Sequence, residues 1–253
     1  MNDSTNTERP SAAAGTAAMP EVVDRAAWQA RIDALRIIEK AHTREGDAIA
    51  AARRRLPAVE VDATATLIGP NGRVTLLDAF EGRQQLLAYY HMWFNGEPAA
   101  EQCEGCTFVT SQVRELSYLH ARDITYAVLC WGPYDESARY REFMGYDVPW
   151  YSVAESADIL RAGRPLNLFM LVSYLRQGDK VFETYWTTGR GVEVVTPTLG
   201  LLDMTVYGRQ EPWENSPAGW PQPDPSWREN GRPTAQWPRI EAGRSDNLSP
   251  ARR

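Results

Sequence analysis

Two almost continuously apolar segments of strand length, residues 85–94 and 124–131, constrain the fold more than any other feature of this sequence. A run of this kind is typical of a strand that is buried on both faces in a mixed or parallel sheet. Between the two runs, apolar residues from position 107 to position 122 recur with the spacing of one helix face. The three segments therefore predict a β-α-β unit with a right-handed crossover.

The rest of the central region continues this alternation of strands and helices. Short β-rich segments at 59–61 and 74–76 enclose an Asn-Gly turn and predict a leading hairpin. Further along, the pattern predicts a helix at 135–144, a strand at 149–153, a hairpin of strands 166–175 and 180–187, and a helix at 198–207. This order is that of a thioredoxin-like α/β protein with a central mixed sheet flanked by helices, and we predict this domain over residues 58–208.

Both flanks of this domain differ from it in composition. Residues 22–57 carry apolar side chains at helical spacing, Trp28 and Leu35 among them, and predict a long amphipathic helical arm. Residues 1–21 predict a disordered leader that has neither the basic region nor the apolar region of a secretory signal. Residues 209–253 hold eight of the 17 prolines and four of the nine tryptophans. They predict an irregular tail whose tryptophans pack on the body or on a neighbouring subunit.

Charge and cysteine content narrow the range of functions. The net charge of −6 argues against nucleic acids and anionic membranes as partners, because both require a face rich in Lys and Arg. No segment approaches the roughly 20 apolar residues that cross a bilayer. Three cysteines cannot form a disulfide framework, and we expect a cytoplasmic protein whose partners are small molecules or proteins.

Cys103 and Cys106 are placed at the start of the helix that follows the first buried strand. A thiolate at a helix start is stabilised by unpaired backbone N–H groups and by the helix dipole, which lowers its pKa. We predict Cys103 as the nucleophile because it is nearer the exposed loop, and Cys106 as the resolving thiol. Glu104 acts in the opposite direction, because a neighbouring negative charge disfavours the thiolate.

The same residues leave other interpretations open. A site for zinc or copper could use Cys103, Cys106 and His91, the histidine at the end of the preceding strand. His91 could instead be a buried structural residue or a general acid or base beside the thiols. The cysteine pair could also be a non-catalytic redox sensor in an interaction module, with the N-terminal helix or the C-terminal tail forming a homodimer. Cys130, within the second apolar strand, is expected to be an inert buried thiol.

Several short motifs together resemble one family. They are the Cys103-x-x-Cys106 motif and the segments EKAHTR (39–44), AARRRLP (51–57), YHM (90–92), GRG (189–191) and YGRQE (207–211). Over residues 28–216 the chain resembles a thioredoxin-like family of unknown function whose members are described as predicted dithiol-disulfide oxidoreductases. The resemblance implies a thioredoxin-like fold and a redox activity. The sequence departs from ordinary thioredoxin at Gln102, which replaces the tryptophan before the pair, and in having no proline within the motif.

The leading hypothesis is therefore an enzyme that cycles the disulfide of this pair while it reduces a small-molecule disulfide, a protein disulfide or a peroxide. It requires no cofactor. We expect His91 and Trp93 beside the thiols, with Arg190 and Arg209 as contacts for an anion.

Overall fold

Eight strands form one mixed β-sheet in the computed structural model, which describes residues 18–221 and 227–249. The strands are β1 Val59–Val61, β2 Thr66–Gly69, β3 Gly72–Thr75, β4 Gln85–His91, β5 Ile124–Cys130, β6 Trp150–Ser152, β7 Met170–Gln177 and β8 Lys180–Thr187. Their order across the sheet is β1-β8-β7-β4-β5-β6-β2-β3. The pairs β4–β5 and β5–β6 are parallel and the other neighbours are antiparallel. This topology confirms the predicted thioredoxin-like mixed sheet.

The two central strands are buried on both faces, as their apolar sequences predict. Successive side chains point to opposite faces of a strand, so Tyr90 and Leu129 belong to one core, whereas Tyr89 and Val128 belong to the other. Each core is covered by helices and loops. The carboxyl ends of β4 and β5 lie side by side, and the segments that leave them form the edge of the sheet where the cysteine pair is found.

Seven α-helices flank the sheet in the described ranges. They are α1 Arg25–Arg53, α2 Glu104–Gln112, α3 Ser117–His120, α4 Tyr134–Met144, α5 Ala157–Leu160, α6 Pro197–Asp203 and α7 Trp237–Glu241. Shorter 3₁₀ segments span Asp78–Phe80, Ala99–Glu101, Ala154–Ser156, Gly189–Val195 and Thr234–Gln236. None of the helices in this part of the chain is both long and apolar enough to cross a membrane.

The predicted continuous helix over residues 107–122 is wrong, because the chain forms α2 and α3 there with a break between them. Val113 adopts an extended conformation (φ −91°, ψ 108°) directly after α2. The Arg114 guanidinium donates hydrogen bonds to the carbonyls of Ser111 at 3.1 Å and Gly145 at 3.0 Å. A side chain that binds a late helix carbonyl in this way favours termination of the helix.

The predicted leading hairpin also differs in its pairing. The Asn71-Gly72 turn is present, and Gly72 has a φ of 95° that favours glycine, but the turn joins β2 to β3. Strand β1 instead pairs with β8 at the opposite edge of the sheet. An alternating pattern indicates a strand without indicating its neighbour, which explains the error.

The N-terminal arm is a single uninterrupted helix of 29 residues, α1, with no buried side chain. The Asp24 carboxylate caps it by accepting a hydrogen bond from the backbone N–H of Ala27 at 2.8 Å. Trp28 and Leu35 of the apolar stripe remain 44% and 48% exposed. The proposed role of this helix in a homodimer stays a prediction, and most of the predicted leader, residues 1–17, lies outside the described residues.

The described part of the C-terminal tail packs on the domain, as its tryptophans predict. It forms a short hairpin of β9 Arg228–Glu229 and β10 Arg232–Pro233, followed by α7. The Trp227 ring stacks on Phe108 of α2, with the ring centroids 4.7 Å apart. The buried Gln236 amide donates hydrogen bonds to the Ala99 carbonyl at 2.7 Å and the Tyr140 hydroxyl at 2.9 Å. The tail therefore covers the region around the cysteine pair.

Candidate active site

Cys103 is the N-cap residue of α2, so the helix begins directly after it. Its sulfur accepts a hydrogen bond from the backbone N–H of Cys106 at 3.4 Å. The pKa of the Cys103 thiol is lowered from 9.0 to about 7, chiefly by the neighbouring Cys106 thiol and also by the N–H groups of Cys106 and Gly105. Partial burial and the Glu104 carboxylate act against this lowering, as predicted for Glu104. A substantial fraction of Cys103 is therefore thiolate at neutral pH.

Cys106 lies in the first turn of α2 and is fully buried. Burial raises the pKa of its thiol well above the ordinary value, and the adjacent Cys103 adds to the increase. The Cys106 sulfur accepts a hydrogen bond from the Met92 N–H at 3.3 Å. Both cysteines are free thiols. The half-buried, acidified Cys103 is suited to attack a substrate, and the protonated Cys106 behind it is suited to resolve the product.

The two thiols line a cavity of about 260 Å³ on the surface of the domain. Most of its walls are apolar side chains from five parts of the chain: Met92 after β4, Phe108 and Val109 of α2, Phe169 before β7, Val192 and Leu199 near α6, and Trp227 of the tail. Their convergence gives Cys103 a small apolar pocket rather than an open polar surface.

The two arginines predicted as anion contacts already form ion pairs with carboxylates of the protein. Arg209 lines the cavity, but its guanidinium binds Asp203 at 2.6 and 2.7 Å and Glu193 at 3.0 Å. Its side chain is only 7% exposed. Arg190 binds Glu193 at 2.8 Å, packs over the Trp213 ring at 4.3 Å and does not line the cavity. The pocket therefore offers an anion no unpaired arginine among the residues that line it.

The tail supplies site residues that no local pattern indicates. Arg228 forms an ion pair with Glu104 at 2.9 Å, directly beside the reactive thiol. The same guanidinium donates to the carbonyls of Ala100 at 2.7 Å and Gln102 at 3.1 Å, which holds the loop before the motif. The tryptophan content of the tail is the signal that it packs, but the sequence does not indicate where.

Met92 is a second residue that the sequence interpretation missed. Its thioether sulfur lies 3.8 Å from the Cys103 sulfur, and its backbone N–H binds Cys106. In the sequence Met92 is one apolar residue within a longer apolar run, so nothing distinguishes it from a core residue.

His91 does not line the cavity. It is fully buried, its Nδ1 is 2.7 Å from the Met92 carbonyl, and its ring packs against Trp150 with centroids 5.2 Å apart. Burial lowers the pKa of His91 to about 4, so the ring is neutral near pH 7. Trp93 lines a different cavity, and its indole N–H donates to Glu136 at 3.1 Å. The structure thus brings Cys103 and Cys106 together without the predicted His91 and Trp93.

The predicted zinc or copper set of Cys103, Cys106 and His91 is not assembled. Within residues 18–221 and 227–249, no group of three or more His, Cys, Asp or Glu side chains could hold a metal ion. The physical reason is that the side chain of His91 is enclosed by aromatic rings in the interior. Cys130 is buried as predicted, and burial raises the pKa of its thiol to about 12.

A dithiol at the start of the first of two helices between two parallel strands of a mixed sheet defines a thioredoxin-like protein. The chain belongs to the family described as "Bacterial protein of unknown function (DUF899)", whose model matches residues 17–237. No curated protein matches the chain.

The chain is also similar to parts of several solved structures, at low sequence identity and with TM-scores below 0.5. One is peroxidoxin BcpB from Mycobacterium tuberculosis, at 17% identity and a TM-score of 0.39, over 58% of this chain and 97% of the other. A PrxQ mutant from Xylella fastidiosa is 12% identical with a TM-score of 0.39, over 58% and 94%. A thioredoxin from Wuchereria bancrofti is 16% identical with a TM-score of 0.36, over 55% and 90%.

Proposed function

We propose that the protein is a thiol-disulfide oxidoreductase in which Cys103 attacks the substrate and Cys106 resolves the product. The observation that carries this proposal is the difference between the two thiols. Cys103 is half-buried with a pKa of about 7, whereas Cys106, in the wall of the same cavity, is fully buried and has a raised pKa. In such a pair, one thiol is ionised and attacks in the first step, and the second thiol stays protonated until the resolving step.

With a disulfide substrate, the Cys103 thiolate attacks one sulfur and expels the other as a thiolate. A mixed disulfide is left on Cys103. Cys106 then loses its proton and attacks Cys103, which forms the intramolecular disulfide and releases the second substrate thiol. With a hydroperoxide, Cys103 attacks the terminal oxygen, the alcohol leaves, and Cys106 condenses with the sulfenic acid to release water. In both cases an external dithiol must return the pair to the reduced state.

The walls of the cavity favour a small uncharged substrate. Burial of apolar substrate groups against Phe108, Phe169 and Trp227 stabilises the complex through the hydrophobic effect. Because Arg209 is already neutralised by two carboxylates, a strongly anionic substrate finds no unpaired guanidinium there. Trp227 of the tail narrows the cavity, so the surface of a folded protein substrate has less access to the thiols. A cycle that begins with free thiols fits a reducing compartment such as the cytoplasm.

The reaction of the reduced full chain with dipyridyl disulfide, a small uncharged disulfide, tests the proposal. The wild type should release two thiones per chain and end with Cys103 and Cys106 bridged. Cys106→Ser should release one thione and retain a pyridyl adduct on Cys103 that mass spectrometry identifies. Cys103→Ser should react far more slowly, because Cys106 is fully buried.

Cys130→Ala is the matched control, since Cys130 is a buried thiol outside the cavity. It should react like the wild type. Reaction of Cys103→Ser at the wild-type rate would refute the assignment of the nucleophile.

A further inference from the structure

Three sulfur-containing side chains, those of Cys103, Cys106 and Met92, line the cavity together. The Met92 thioether lies 3.8 Å from the Cys103 sulfur, and the Cys106 sulfur is held by the backbone N–H of Met92. Cys106 in turn donates its own N–H to the Cys103 sulfur at 3.4 Å. We propose that Cys103, Cys106 and Met92 form a three-coordinate binding site for copper(I).

The choice of copper(I) follows from the donor atoms. Thiolate and thioether sulfurs are soft ligands that select copper(I), whereas zinc sites are built from thiolates, imidazoles and carboxylates and usually require four ligands. In the described ranges no third His, Cys, Asp or Glu completes such a zinc set around these thiols. A site with two thiolates and one thioether is therefore matched to a soft monovalent ion.

The separation between the Met92 and Cys103 sulfurs fits trigonal coordination. Three sulfurs placed about 2.3 Å from a central ion, the length of a zinc–thiolate bond, lie about 4 Å from one another. The separation of 3.8 Å between Met92 and Cys103 is close to this value. Met92 and Cys103 would thus bind one copper ion without a large movement of either side chain.

The surroundings of the site support two thiolates. Copper binding displaces the protons of Cys103 and Cys106 and leaves the ion in the +1 state, so two thiolates and one cation carry a net charge of −1. The N–H groups of Cys106 and Met92 already point at the sulfurs, and the helix start contributes a further favourable field. The cavity of about 260 Å³ provides the entry path.

This site goes beyond the proposed oxidoreductase activity and does not depend on it. The same two thiols cannot be bridged and bind copper at once, so copper would occupy only the reduced protein. Copper affinity and the reaction with dipyridyl disulfide are separate measurements, so the failure of one does not decide the other.

Anaerobic titration of the reduced full chain with copper(I), in competition with a chromophoric copper(I) chelator, tests the proposal. We expect one ion per chain, and X-ray absorption should show three sulfur neighbours at about 2.3 Å. A nitrogen or oxygen neighbour in place of the third sulfur, or binding too weak to compete with the chelator, would overturn the site.

Met92→Leu removes the thioether with little change in volume, so folding should be retained. Loss of a residue that only hydrogen-bonds a metal ligand costs about 10–100-fold in affinity, and loss of a ligand should cost at least about tenfold. The variant should keep two sulfur neighbours around the bound copper. The control Met204→Leu changes a methionine that is 85% exposed and should bind copper like the wild type. Equal affinity and three sulfur neighbours in Met92→Leu would exclude Met92 as a ligand.

Discussion

The backbone N–H of Cys106 donates a hydrogen bond to the sulfur of Cys103 at 3.4 Å, so the resolving residue itself stabilises the charge on the attacking one. This relationship ties the chemistry of the pair to the first turn of α2. Any change that moves the helix start alters the pKa of Cys103.

The rate of Cys103 alkylation should be half-maximal near pH 7. Its thiol has a pKa of about 7, compared with about 8.5 for a free cysteine, and only the thiolate reacts. Mass spectrometry of reduced protein treated with iodoacetamide at a series of pH values measures the rate for each cysteine. Cys106 should remain unmodified while Cys103 reacts. A midpoint above pH 8.5, or earlier labelling of Cys106, would contradict the site geometry.

Glu104→Gln should make Cys103 more acidic. The Glu104 carboxylate raises the pKa of the thiol, and its removal leaves the helix N–H groups unopposed. We expect alkylation at pH 6 to be about two- to fivefold faster than in the wild type. Arg228→Ala should have the opposite effect, because it frees the Glu104 charge from its ion pair. Glu142→Gln on α4 is the control, and equal rates in all four proteins would show that Glu104 has no influence.

Trp227→Ala should admit larger substrates to the thiols. The indole forms one wall of the cavity and stacks on Phe108, so its loss widens the pocket and lowers the free energy of unfolding by about 1–3 kcal/mol. A bulky aromatic disulfide should react several-fold faster, while a small one keeps its rate. The control Trp220→Ala removes a tail tryptophan that packs against Tyr207 outside this cavity. The same acceleration in the control would refute the role of Trp227 as a wall.

His91 should make the protein less stable in mild acid. Its pKa is about 4 in the folded state and about 6.5 in the unfolded state, so between these values only the unfolded state takes up the proton. From pH 7 to pH 4 this linkage lowers the free energy of unfolding by about 3 kcal/mol. Urea denaturation of the wild type and of His91→Gln at pH 7 and pH 4 measures how much of the pH-dependent loss of stability comes from His91. The carboxylates also titrate in this range, but they are the same in both proteins, so their effect cancels in the comparison. An equal loss of stability in the two proteins would contradict the burial of a neutral His91.

The sequence predicts the centre of the fold because the relevant information there is local. Residues in β4 and β5 are apolar almost without interruption, and such runs have few alternatives to a buried strand. The cysteine pair is predictable for the same reason, since its position follows from the end of one strand and the start of a helix. The break at Val113 depends on Arg114 reaching Gly145, a contact that no helical periodicity contains.

The rest of the site comes from contacts between distant parts of the chain. His91 and Met92 are neighbours in sequence and pack against the same core cluster, but aromatic rings enclose His91, whereas Met92, directly after the end of β4, lines the cavity. Imidazole is a common metal ligand, so the sequence favours His91, yet Met92 is the residue that lies beside the thiols. Trp227 and Arg228 reach α2 only through tertiary packing of the tail.

The wall that Trp227 contributes to the cavity also sets an order of events during synthesis. Helix α2 and both thiols leave the ribosome long before this wall has been translated, so every nascent chain passes through a period in which Cys103 is uncovered. The cavity is therefore complete only after Trp227 has been translated and has docked on Phe108, and a chain released before Trp227 would expose Cys103 on that side.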